Sequence, residues 1–302
     1  MNLIIFGIAI LLLFIAGFII EFPRDTQWVI YLKAFISFVA LLFSVFVMDF
    51  TITRNALTKK NSYALLIFVL FLGLFPSIFV DFKMITAHLF VILGLRRFIS
   101  LATGTRIEQK MFDGSFWMAI ASLISEWAIC FFIIAFAALF VFKLINFRFF
   151  FMPIIAYAVV SFLFFTYCYT ADDLSLFMAS FEYELNLEPE KYRQWQYLVP
   201  LMFCSILGGI AFVVYIIKST KRTGLRRNIN AMVMVIFFTS ILAALLAEGK
   251  NGSELLWILF PLAVIIANWI ERIQKEWLKE SLLLASVILP VLLLVLYFIP
   301  KG

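Results

Sequence analysis

The stretch FWMAIASLISEWAICFFIIAFAALFVF, Phe116 to Phe142, decides how this chain is threaded. It is 27 residues long, and Glu126, followed by Trp127, interrupts its apolar run. A helix needs about 20 apolar residues to cross about 30 Å of hydrocarbon, so the stretch reads as one tilted span or as two short helices meeting at a break. Basic residues choose between these readings, because cytoplasmic loops collect Lys and Arg. With a hairpin, 17 of the 24 basic residues fall on the side of the amino terminus and 6 on the other, with Lys33 inside a span. With a single crossing the split is 11 against 12. The hairpin is the expected arrangement, with Glu126 at its outer apex and its short arms tilted or partly re-entrant, shielded from lipid by neighbouring helices.

The rest of the chain fits the same solvent. Hydrophobic residues make up 65% of the 302 positions and charged residues only 14%, far from the balance of a soluble domain. Apolar runs recur at 2–20, 28–48, 62–80, 84–95, 149–169, 197–217, 229–247, 254–270 and 281–299. The expected fold is all-α: a polytopic transmembrane helix bundle of 10 to 11 membrane helices, forming one integral membrane domain over 1–302. The run Asn2 to Ile20 lacks a basic leader and a small-residue cleavage site, so it reads as a retained first helix. The amino terminus is expected in the cytoplasm of a bacterial inner membrane and the carboxyl terminus in the periplasm.

Several function classes recede. The formal charge of +6 sits in short loops rather than on a folded basic face, which excludes nucleic acid as the expected partner. Cys130, Cys168 and Cys204 lie in apolar runs without metal-ligand spacing. A single histidine cannot build a multi-histidine iron centre, and no Walker, dinucleotide, GxSxG or HExxH motif is present. The longest loop, 170–196, is expected outside, with six carboxylates against two cations. Leu174, Phe177, Met178, Phe181 and Leu185 recur in it at helical spacing, as in an amphipathic surface helix.

Ionisable groups at membrane depth cost about 2.5 to 3.5 kcal/mol on insertion scales, so each is a functional candidate. Lys33, His88 and Glu126 all fall near one outer-leaflet plane, beside the outer-loop residues Glu21, Arg24, Asp25 and Asp81. Each also has a structural reading: Lys33 snorkels, His88 satisfies a carbonyl, Glu126 neutralises Lys33. Asn268 reads as an interhelical hydrogen bond.

At AHLFVILGLRRFISL, Ala87 to Leu101, and KMFDGSFWMAIASL, from Lys110, the chain resembles an uncharacterised Bacteroidota family of multi-pass membrane proteins of about this length. From Asn55 to Phe142 the order of features also resembles the core of GT-C glycosyltransferases. The shared order is a basic inner loop, a span ending in FPSIF, an outer acid, a span ending in paired arginines, and two short helices. That resemblance implies sugar transfer from a polyprenyl-phosphate carrier at the outer face. It implies Asp25, Asp81 and Glu21 as catalytic carboxylates, acting as base or as ligands of a divalent cation. Arg24, Lys33, His88 and Glu126 are the implied substrate-binding set, with cations facing the carrier phosphate. The chain departs from the pattern in its short first outer loop and in carrying Glu126 where a cation is usual. A non-catalytic subunit or scaffold of an envelope assembly, with protein partners there, is the alternative, and a transporter or lipid flippase the third reading.

Overall fold

The computed structural model describes residues 2–21, 28–59, 61–182 and 191–298. Among them are twelve α-helices: α1 (Asn2–Glu21), α2 (Trp28–Arg54), α3 (Tyr63–Leu72), α4 (Phe82–Ile99), α5 (Ile107–Ile124), α6 (Phe132–Val141), α7 (Phe147–Thr170), α8 (Leu174–Ala179), α9 (Trp195–Thr220), α10 (Gly224–Leu246), α11 (Leu256–Ile270) and α12 (Glu276–Phe298). Six elements are long and apolar enough to cross a membrane, and shorter apolar helices fill the spaces between them. Phe35, Phe43, Phe162, Ile206 and Phe238 are among many large apolar side chains turned outward, a perimeter that lipid solvates and water does not.

The 116–142 stretch is broken. Backbone at Ser125 turns extended, a 3-10 helix follows over Glu126–Phe131, and α6 starts at Phe132. Helix α5 begins at Ile107, nine residues before the apolar run that suggested its first arm, so Glu108, Lys110 and Asp113 are helical too. Hydropathy does not register such an extension, because hydrogen bonding carries a helix past the edge of its apolar run. Contacts between helix ends sort into two sets. Asp81 meets Ser253 and Lys83 meets Glu126 at one end, while Arg97 meets Asp113 and Lys59 meets Glu271 at the other. We call these the Asp81 end and the Arg96 end.

Local chemistry explains the interruptions. The run expected at 62–80 is helical only to Leu72, because Pro76 starts a separate 3-10 helix, Pro76–Val80. Asp81 then caps α4, accepting from the Met84 N–H at 2.9 Å, and Arg96 and Arg97 close its last turn against the helix dipole. Helices α4 and α5 approach backbone to backbone: a methyl added to Gly94 would lie 2.9 Å from the Gly114 carbonyl oxygen. At the centre runs α11, with thirteen of its 15 residues buried. Its Asn268 amide donates to the carbonyl of Leu57, in the loop after α2, at 2.8 Å, so the bond expected between helices instead ties α11 to a loop.

The expected surface helix is shorter than its pattern. Only Leu174–Ala179 is α-helical, capped by Asp173, and the end of that pattern, at 183–185, lies outside the described residues. Its Phe177 packs on Phe164 and Phe165 of α7 and on Phe181. Six residues form fewer than two turns, too few to propagate a long helix without a covering partner.

Candidate functional site

The Asp81 end carries two cavities, and one short turn connects them. The first, about 650 Å³ and open, is lined by Lys33, Ile36 and Ser37 of α2, by Val80 to Lys83 and Thr86 around the start of α4, and by Ile124 and Asn251. Asp81 is placed there by its capping role. One carboxylate oxygen takes the Met84 N–H and the other lies 2.5 Å from the Ser253 hydroxyl. Lys83 reaches across its edge to Glu126 at 2.7 Å, with the lysine side chain half exposed. Glu126 is largely buried, but the lysine end of the pair is open to solvent, which screens the interaction and leaves Lys83 available to a ligand.

The candidate residues therefore divide. Lys33 and Asp81 share this cavity, and Glu126 borders it through Lys83 rather than through the Lys33 pairing expected of it. His88 stands apart from it. Seven residues beyond Asp81, two helical turns along α4, its ring is buried between Phe68 and Trp257, with centroids 6.1 Å from each. Arg24 and Asp25 lie outside the described residues, as does the side chain of Glu21 at the end of α1. Among the described residues no three of His, Cys, Asp or Glu gather in a way that suits a cation.

Sequence reasoning passed over the turn Asn251–Glu254. Gly252 holds φ +97°, a conformation that favours glycine, and a side chain there would meet the Ser77 hydroxyl at 2.8 Å and the Tyr197 ring at 3.1 Å. The Ser253 hydroxyl lies 2.5 Å from Asp81 and 2.6 Å from the Asn251 side-chain oxygen, so its single proton serves one of them at a time. Glu254 is buried and accepts from the Tyr192 hydroxyl at 2.7 Å and from the Gly252 N–H at 2.8 Å. Burial, with the Glu254 charge beside it, pushes the Tyr192 phenol well above its ordinary range, so it remains a donor. The available signal was a polar Asn-Gly-Ser-Glu run entering a span, which reads from sequence as an ordinary loop.

Past Glu254 opens the second cavity, about 660 Å³, between α9, α10 and α11. Its wall is almost wholly apolar, with Lys250, Glu254 and Tyr192 at the Asp81 end. The Lys250 ammonium donates to the Ala244 and Leu245 carbonyls at 2.7 Å each, closing the end of α10.

An all-α bundle with an apolar perimeter and a charged cavity at one end defines a helical membrane protein class. The chain belongs to DUF6427, a family of unknown function, which it matches over residues 1–301. No curated protein and no solved structure matches it.

Proposed function

We propose that this protein binds and handles a polyprenyl-phosphate-linked sugar at the outer leaflet, in the cavity lined by Lys33, Asp81, Lys83 and Asn251. In this reading the 10 to 11 membrane helices of a bacterial inner-membrane protein place the Asp81 end in the periplasm. One observation carries it: two lysines, a carboxylate and an amide surround a single opening of about 650 Å³, within the range of small-molecule sites. Lys33 and Lys83 suit a phosphate, as point charges on flexible stems. Asp81 and Asn251 suit sugar hydroxyls, while Ile36, Val80 and Ile124 give the carrier chain an apolar approach.

Binding is better supported than transfer. Asp81 is tied into the fold, capping α4 at the Met84 N–H and facing the Ser253 hydroxyl, and no second carboxylate or histidine among the lining residues shares acid–base work with it. The same observation favours the second reading, a non-catalytic subunit of an envelope assembly that presents the carrier to a partner. The test is binding of a short polyprenyl phosphate to the full-length protein in mixed micelles. Polyprenyl phosphate should bind about tenfold more tightly than the matching polyprenol, the scale of one charge-assisted hydrogen bond, and Lys33→Ala with Lys83→Ala should remove that preference. Equal binding of the two lipids, or a preference that survives the double substitution, overturns the proposal.

A further inference from the structure

The second cavity has a composition of its own. Helices α9 and α10 both pack on α11 while touching each other little, which leaves a groove between them. Phe75, Phe212, Phe237, Ile258 and Leu262 line it, and on α10 it runs from Leu245 back to Phe237, about 12 Å of helix. Gly209 faces it with nothing within 4 Å of an added methyl, and Leu245, at its polar end, is largely exposed, so the groove opens sideways to the perimeter. At its polar end stand one cation and one anion, Lys250 and Glu254. Both are held in place, the lysine by two carbonyls and the carboxylate by Tyr192 and Gly252.

We propose that this groove is a binding site for a phosphoethanolamine lipid, one acyl chain lying between α9 and α10 and the headgroup spanning Lys250 and Glu254. Charge complementarity selects the headgroup. A phosphate meets the lysine, and an ammonium meets the buried carboxylate, whose desolvation two hydrogen bonds offset in part and no ion pair among the described residues offsets further. A purely anionic headgroup would set a second negative charge against Glu254, and a headgroup without charge would leave both partners unused. The lateral opening admits a chain from the bilayer without unfolding any element. This site is independent of the polyprenyl-phosphate cavity, and either proposal can fail alone.

The experiment uses delipidated full-length protein in mixed micelles containing equal amounts of phosphatidylethanolamine and phosphatidylglycerol with identical chains, with retained lipid counted by native mass spectrometry. Phosphatidylethanolamine should be retained about tenfold over phosphatidylglycerol, the scale of one charge-assisted hydrogen bond. Glu254→Gln should abolish the preference, and Gly209→Leu, which grows into open space, should lose retention of both lipids. Equal retention in the native protein, or unchanged retention in Gly209→Leu, overturns the proposal. If Gly209→Leu instead loses a short polyprenyl phosphate and keeps phosphatidylethanolamine, the groove serves the carrier chain and the inference falls.

Discussion

Two cavities of nearly equal volume lie at the same end of this bundle, and their charges are held in opposite ways. In the first, the Lys83 side chain is half exposed and Lys33 is exposed on α2, so both ammonium groups can follow a ligand. In the second, Lys250 and Glu254 are each fixed by two hydrogen bonds within the fold. The difference teaches how one end of a bundle can support two tasks: mobile cations suit capture of a charged headgroup, and a fixed pair suits selection among headgroups. A single turn stands between them, with Asn251 on the first cavity and Glu254 on the second.

That turn is where the comparison breaks most easily. Gly252→Val imposes a side chain on a positive φ and drives it against Ser77 and Tyr197. Backbone strain and overpacking of about 1 to 3 kcal/mol each give an expected loss of about 2 to 6 kcal/mol, read by thermal unfolding in detergent. Both cavities should lose their ligands together. If one keeps its ligand, the turn does not join them.

A second substitution sets a control far from the turn. Gly94→Ala places a methyl against the Gly114 carbonyl and the Met118 side chain, at an expected cost of about 1 to 3 kcal/mol. Ligand retention in either cavity should be unchanged once the protein is folded. A selective loss in one cavity would mean that the α4–α5 contact shapes the site as well as the bundle.

How much of this was legible follows from the range of each signal. The break at Glu126 was readable because orientation depends on cations counted along the whole chain, and a misplaced span would have reversed half of them. Lys33 and Asp81 could be brought to one plane because depth along a helix follows from residue number. Depth says nothing about azimuth. His88 lies two turns from Asp81 on the face packed against Phe68 and Trp257, and only the packing of α11 decides that. Lys83 and Asn251 escaped notice because loop-end polar residues are ordinary, and their convergence depends on the Gly252 turn.

A smaller effect separates the two roles of Ser253. Ser253→Ala removes the hydroxyl beside Asp81 and leaves the cap to Met84 intact, so stability should fall by only about 1 kcal/mol. Binding of polyprenyl phosphate should change little if the lysines supply the affinity. A tenfold loss would show that Asp81, held by Ser253, contacts the ligand directly.

The smallest effect concerns pH and sharpens the contrast in how cations are held. Lys250 lies between α10 and the Asn251–Glu254 turn, where burial lowers its pKa from 10.5 and the Glu254 charge partly opposes that shift. Between the lowered value and 10.5 the folded protein binds fewer protons at this site than the unfolded chain does. Stability therefore rises with pH across that window, while below it the charged ammonium carries its full cost. Subtracting the Lys250→Met curve from the native one isolates this group, since the other lysines titrate in both proteins. The difference should climb in favour of the native protein as pH increases towards 10.5, measured by thermal unfolding in lipid-free detergent. Glu254→Gln removes the opposing charge, lowers the Lys250 pKa further and should start the climb at lower pH. A flat difference, or a start that Glu254→Gln leaves in place, would mean that Lys250 is hydrated at this rim and that its charge is not fixed beside Glu254.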